Sequence, residues 1–251
     1  MLAAGALALI LLPLIGLLQR APWSTFGSNL TAHEALTALR LSLVTSLGAV
    51  GLSIVFGLPL AWLLARRDFP GRSLIRAVVT LPMVLPPVVG GIALLYAFGR
   101  DGFAGHILYE LTGWRLVFNT SGAIVAEAFV AMPFLIITAE AAFRSMDRRP
   151  EEAASTLGGS PAYRFRRITL PAVAPSLAAG GALTWARALG EFGATITFAG
   201  NFPGVTQTAP LLVYLDIESG RNGTALAVSI VLLAVSLVVL VLLRDRWLGN
   251  S

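Results

Sequence analysis

Six stretches of this chain are apolar over about the length needed to cross a bilayer, and no other property restricts its fold as severely. A hydrocarbon core about 30 Å thick takes about 20 residues of helix. Stretches of that order run over 1–18, 37–65, 74–98, 120–143, 173–199 and 223–243. In lipid every backbone N–H and C=O must find a partner within the protein, which for runs of this length leaves helices. The chain is therefore read as an all-α polytopic membrane protein, one transmembrane domain over 1–251 with a core of 37–243. The first stretch has no basic leader and no small-x-small cleavage site before Arg20, so it is read as a retained span.

Charge gives the spans a direction. All eighteen basic residues are arginine, against thirteen acids, and only 12% of residues are charged while 56% are hydrophobic. Twelve arginines fall on one side of the six spans: Arg66, Arg67, Arg72 and Arg76, the six from Arg144 to Arg167, and Arg244 and Arg246. Five fall on the other side (Arg20, Arg40, Arg100, Arg115, Arg221), and Arg187 lies within the fifth span. The positive-inside rule then puts both termini and the 144–172 loop in the cytoplasm of a cell (inner) membrane protein. Trp23, Tyr109, Trp114 and Trp247 fall near the interfaces that amphipathic rings prefer. Arginines that flank apolar spans point to lipid contact and argue against nucleic acid.

Composition also removes chemistry. Without lysine there is no P-loop, because that loop needs a lysine to reach the β- and γ-phosphates. Without cysteine there is no disulfide framework, thiolate metal site or cysteine nucleophile. His33 and His106 both fall outside the spans, and no nucleophile and base share one span, which speaks against an intramembrane enzyme. No cofactor and no metal site is expected.

Two spans are irregular. The third carries Pro82, Pro86 and Pro87 and then Gly90 and Gly91, so it should kink or break. The fifth is rich in small residues from Ala178 to Ala182, with Gly190 and Gly193 further on, which suits either close helix packing or the lining of a pathway. The last span, mostly Val and Leu, reads as lipid-facing scaffold. Residues 205–219 hold an apolar run, Ala209 to Leu215, too short to span and read as a re-entrant or interfacial helix on the outer side. Asp216 and Glu218 after it are read as facing water, with contact to an external protein as the alternative.

The longest arginine-rich loop has its own grammar. Pro150 stops the preceding structure, and Glu151 and Glu152 open a short helix whose N-terminal dipole favours acids. Gly158 and Gly159 end that helix, and Ser160-Pro161 has the form of an N-cap followed by proline at the first helical position. The expected shape is helix, tight turn, helix. On the second helix Tyr163, Phe165 and Ile168 alternate with Arg164, Arg166 and Arg167, a surface suited to anionic headgroups or to a protein groove.

The spacing Glu152-Ala153-Ala154, three residues, Gly158, nine residues, Ile168, one residue, Leu170-Pro171 resembles the EAA motif of permease subunits of binding-protein-dependent ABC importers. The resemblance covers about 37–243 and implies the type I permease core. It implies that the loop docks in a cleft of a separate ATP-hydrolysing subunit, with Glu152 and Gly158 as coupling residues, Ala153 and Ala154 packed in the cleft, and Ile168, Leu170 and Pro171 completing the motif. It implies a homodimer of permeases, two ATPase copies and an external or periplasmic oxyanion-binding protein. The run from Gly190 through Asn201 to Leu211 is similar to the molybdate permeases, whose nearest relatives are the sulfate and thiosulfate permeases. Molybdate is the favoured cargo, with tungstate as a companion. An ion-coupled secondary transporter is the remote alternative, and it lacks support from any inverted repeat.

A doubly charged oxyanion cannot cross a dry apolar path. Few ionisable groups lie deep within the spans, and Glu127, Arg187 and Glu191 are singled out as candidates. Counting about 1.5 Å per residue from the outer ends puts Glu127 about 10 Å deep and Glu191 about 12 Å deep, with Arg187 one turn further, so all three are able to meet. The preferred reading is structural, with Arg187 neutralising one or both carboxylates and tying the fourth and fifth spans together. Thr184, Thr195, Thr197, Gln207 and Thr208 suit weak contacts with a passing oxyanion, against the plainer reading of each as a helix or loop hydrogen-bonder, and Arg187 and Glu191 are retained as pathway or gate candidates.

Overall fold

A computed structural model of the chain describes the backbone of residues 1–247 and the side chains of residues 1–243. The interface position read for Trp247 and the side of the membrane read for the C-terminus lie outside the described residues. Among those residues there is no strand; the chain is a bundle of helices.

In chain order these are α1 (Leu2–Gln19), α2 (Phe26–Thr31), α3 (His33–Leu52), α4 (Leu58–Arg66), α5 (Arg72–Val84), α6 (Pro87–Phe98), α7 (Phe103–Thr112), α8 (Thr120–Ser145), α9 (Arg149–Thr156), α10 (Pro161–Arg164), α11 (Leu170–Leu189), α12 (Gly193–Phe198), α13 (Ala209–Glu218) and α14 (Asn222–Trp247). Among the described residues five continuous helical stretches are long and apolar enough to cross a membrane: Leu2–Gln19, His33–Arg66, Thr120–Ser145, Pro161–Leu189 and Asn222–Leu243. The pair α5 and α6 makes a sixth span if taken together, bent by 118°.

Proline chemistry explains the irregular points. Leu85 and Pro86 each precede a proline and are held extended (ψ 132 and 129), so the third span breaks there and is not a kinked continuous helix. Two π turns, Ser53–Gly57 and Phe165–Thr169, each end just before a helix that opens with proline at its second residue. The rings of Pro59 and Pro171 collide with the carbonyls four residues back, at Val55 and Arg167, and a widened turn relieves that collision. So α3 and α4 form one span through the first π turn. Likewise α10 is no separate second short helix: it runs through the second π turn into α11, and the fifth span begins at Pro161 instead of about 173.

That span also ends earlier than the sequence suggested. α11 stops at Leu189, Gly190 to Phe192 are non-helical, and α12 is a separate short helix. The depth assigned to Glu191 assumed an unbroken helix to 199 and does not hold. The charges fit the break: Arg187 lies in the last turn of α11, where cations are favoured, and Glu191 sits just ahead of α12, where acids are favoured. Glu191 Oε1 accepts the Ala194 N–H at 2.9 Å, supplying one of the donors freed by the break.

α8 is the hub, with α3, α4, α5, α11 and α12 packed around it. Within lipid, apolar helices gain little from leaving one oily surface for another, so close packing must hold them. Small residues provide it: a Cβ at Gly48 would lie 2.9 Å from Ile124, and one at Gly180 would lie 2.9 Å from Thr138. Gly57 is nearly as tight, 3.1 Å from Ile136. Two polar ties reinforce the packing. Thr45 Oγ1 donates to Glu127 Oε1 at 2.7 Å, joining α3 to α8, and Trp185 Nε1 donates to Ser46 Oγ at 2.9 Å, joining α11 to α3. α1 buries none of its residues, and α14 leaves Leu237, Val238, Leu240, Val241 and Leu242 exposed, as a lipid-facing scaffold would.

Candidate functional site

The arginine-rich end of the bundle displays one helix away from the rest. α9 opens with Arg149-Pro150, carries Glu151 and Glu152 in its first turn and ends at Thr156. Gly158 follows at φ +82, a conformation that glycine adopts without steric cost. The Gly159 N–H donates to the Ala154 carbonyl at 2.8 Å, closing the turn, and Ser160 Oγ accepts the Tyr163 N–H at 3.3 Å as the N-cap of the next helix. Glu152, Ala153, Leu157 and Gly158 are exposed, Leu157 almost fully at 88%, and Ala154 is half-buried.

Behind this face α9 is anchored by Glu151. Its carboxylate receives Arg66 Nη2, at 3.2 Å to Oε1 and 3.1 Å to Oε2, and the hydroxyl of Thr169. Arg66 ends α4 and Thr169 closes the second π turn, so one side chain ties α9 to two spans at once. Sequence reasoning passed over Glu151, Arg66 and Thr169 as a group, because their separations of 85 and 18 residues carry no local signal. It also missed Glu140, only 9% exposed, which holds Arg76 Nε at 2.8 Å and Arg144 at 3.8 Å. The spacing of Glu140 and Arg144, four apart on α8, was the available clue. Ile168, Leu170 and Pro171 do not share the displayed face. Ile168 lies in the π turn and Leu170 and Pro171 open α11, the first two half-buried.

The second region is where the two broken spans meet. α6 packs on α12 so closely that a Cβ at Gly91 would lie 1.7 Å from Thr197 Oγ1 and 2.8 Å from the Ala194 carbonyl, and one at Gly193 would lie 2.8 Å from Pro87 Cβ. Irregular backbone at the depth of a membrane is tolerated where protein or water meets it. Here α12 packs on the start of α6, while Pro86 in the break of the third span and Gly190 in that of the fifth stay exposed.

The ionisable trio separates into two. Arg187 Nη2 pairs with Glu191 Oε2 at 2.7 Å, while Glu127, 1% exposed, is held by Thr45. No ion pair joins Arg187 to Glu127 among the described residues. Of the hydroxyls singled out, Thr184 donates to its own helix at the Gly180 carbonyl (2.8 Å) and Thr197 to that of Gly193 (2.8 Å). Thr195 Oγ1, Gln207 Nε2 and Thr208 Oγ1 are buried and make no hydrogen bond among the described residues.

On the opposite end α13 is the short helix expected near 209–215, and its first N–H, at Ala209, is taken by Ser42 Oγ at 2.7 Å. Asp216 does not face water. It is fully buried and bound by Arg221 Nε and Nη2 at 2.9 and 2.6 Å, with Glu34 3.5 Å from the same guanidinium. Those two acids hold Arg221 protonated beyond its ordinary range, Asp216 contributing most. α7 was not foreseen: Arg100 and Arg115 flank the Tyr109 ring at 5.7 and 5.0 Å.

Residues 53–246 match the family of the binding-protein-dependent transport system inner membrane component. The molybdenum transport system permease protein ModB of Mycobacterium tuberculosis is 42% identical over 238 residues, covering 94% of this chain and 89% of that protein. ModB of Escherichia coli is 42% identical over 215 residues, covering 85% and 93%. The sulfate transport system permease protein CysT of Escherichia coli is 35% identical over 235 residues, covering 92% and 84%. In fold, the chain resembles a chain of the crystal structure of a bacterial alginate ABC transporter in complex with an alginate pentasaccharide-bound periplasmic protein. That match has a TM-score of 0.71 at 21% identity, covering 100% and 96% of the two chains. A chain of the methionine ABC transporter MetNI in an inward-facing conformation matches at TM-score 0.59 and 18% identity, covering 83% and 94%.

Proposed function

We propose that this chain, which belongs to the family of inner membrane components of binding-protein-dependent transport systems, is the permease of an ATP-driven molybdate importer, with tungstate as a companion substrate. The family is one of membrane transport components and not of enzymes, so ATP is to be hydrolysed by a partner. Two copies of this chain form the path between them, over a single domain of 1–251 with its core at 37–243. Two ATPase subunits dock on the 144–172 loops, and an oxyanion-binding protein delivers cargo from outside. Both termini and the loop face the cytoplasm, as the arginine count favours. Molybdate is preferred to sulfate because identity is 42% to the molybdenum permeases and 35% to the sulfate permease.

One observation carries the coupling part of this reading: α9 displays Glu152, Ala153 and Leu157 outward while Glu151 pins its inner side to α4 and to the root of α11. A partner that seizes the outer face pulls two spans together. These two spans hold the π turns, which are natural points of yield. Arg187 and Glu191 stabilise the break in the fifth span, and Thr195, Gln207 and Thr208 offer weak hydrogen bonds to passing cargo. Co-purification tests the docking: the wild-type chain should carry an ATPase subunit through affinity purification, and Gly158→Pro should lose it, since proline cannot adopt φ +82. A wild-type chain that recruits no ATPase would end the reading.

A further inference from the structure

A cavity of about 340 Å³ opens at the arginine-rich end, between the ends of α4 and α9 and the start of the fifth span. Its wall carries Arg66, Arg67 and Arg164 against a single acid, Glu151, with Trp62 and Phe165 as apolar backing. Glu151 is already committed to Arg66 and Thr169. Among the described residues Arg67 and Arg164 have no carboxylate partner, so the lining carries a net positive charge that none of them neutralises.

Arg164 is the sharper clue. Its Nε is buried and has no hydrogen-bond acceptor, and an orphaned donor on a charged group costs more than a neutral one. Its position follows from the backbone: it ends α10 just before the π turn forced by Pro171, which sends it inward where Arg166 and Arg167 stay exposed. A guanidinium fork held this way, with a second arginine facing the same space, is the arrangement that binds a tetrahedral oxygen anion through paired N–H donors. We infer that this cavity is a binding site for a phosphate-type oxyanion group, either the phosphodiester of an anionic lipid or free inorganic phosphate. Trp62 and the exposed Pro161 at the rim suit a headgroup lying at the membrane edge. The site does not depend on which anion the transporter carries. One consequence does rest on the docking role of α9: an anion drawing on Arg66 competes with Glu151 and loosens the anchor of that helix.

The test uses the purified full chain and two probes. In one arm inorganic phosphate is titrated into the protein in neutral detergent, with binding read by calorimetry. In the other, phosphatidylglycerol or phosphatidylcholine is supplied and the lipid retained is read by native mass spectrometry. Wild type should bind phosphate, retain phosphatidylglycerol in preference to phosphatidylcholine, or do both, and the pattern identifies the source. Arg164→Gln should weaken that binding about tenfold, the loss expected of one charge-assisted pair. Arg148→Gln removes the same charge from the same loop outside the cavity and should leave binding unchanged. If Arg164→Gln does not fold, Arg67→Gln, an exposed position without a partner, carries the same expectation. Absence of binding in both arms, or equal weakening by Arg148→Gln, would overturn the site.

Discussion

Replacing Arg187 by glutamine separates a structural role from a substrate contact. In the wild-type chain Arg187 meets Glu191 at 2.7 Å; the arginine side chain is 30% exposed and the glutamate 1%. Breaking a buried ion pair from one side costs about 3–5 kcal/mol when the remaining charge is stranded. Here Glu191 keeps the Ala194 N–H, glutamine can still offer an amide, and Arg187 partly reaches solvent, so the discounted cost is about 2 kcal/mol. For a chain of this size that is a fall in melting temperature on the order of 5 °C. It can be read as the fraction of monodisperse protein surviving a heating series in detergent. Glu191→Gln alone should cost less, because the arginine left behind can turn to water. The double variant should be more stable than the sum of the two losses implies, by about 1 kcal/mol or more. Transport should decline only in proportion to folded protein. If Arg187→Gln melts and accumulates like wild type while uptake is abolished, the structural reading of this pair is wrong and Arg187 touches cargo.

Three other positions give separate checks. Gly91→Ala puts a methyl group into Thr197 Oγ1 and the Ala194 carbonyl, so it should cost about 2–3 kcal/mol and sharply reduce folded yield, and adding Thr197→Ala should restore only part because the carbonyl remains. Asn119 Oδ1 accepts the Gly122 N–H at 3.1 Å as the N-cap of α8, so Asn119→Ala should lower thermal stability by about 1 kcal/mol. Arg115, with help from Arg100, holds the Tyr109 phenol below its ordinary range. Ultraviolet titration should therefore show one tyrosine ionising early, and Arg115→Gln should move it to higher pH. Since the folded state favours that phenolate, its contribution is present above the ordinary phenol range and fades as pH falls through the lowered value.

Much of this architecture could be read along the chain, and the reasons for the exceptions are specific. Spans 1–18, 120–143 and 223–243 emerge nearly as the apolar runs mark them, since the requirement to satisfy backbone in lipid leaves them one solution. Gly158, Ser160 and Pro161 take the cap positions that their side chains suggest, because capping is decided within four or five residues. The third span was expected to kink or break at its prolines, and the restriction on residues before proline decides for a break at Leu85–Pro86. The end of α11 at Leu189 was hidden because Gly190 and Gly193 serve packing as readily as a break. Its decisive feature, the Glu191 carboxylate accepting the Ala194 N–H ahead of α12, is local, but it signals a cap only once the helix is known to stop. Asp216 depends on tertiary placement: α13 packs on α3 and α14, and Asp216 is buried there with Arg221 as its partner. Glu151, the residue that anchors α9 to two spans, was visible only as an acid at a helix start. Its partners lie on other elements, and no local pattern announces them.

Uptake by the assembled transporter bears most directly on the whole account. The purified chain would be reconstituted in liposomes with its ATPase and supplied with its external binding protein and labelled molybdate. Molybdate should accumulate only with ATP and all three components, with tungstate competing strongly and sulfate weakly. Accumulation without the ATPase, or sulfate carried in preference to molybdate, would contradict it.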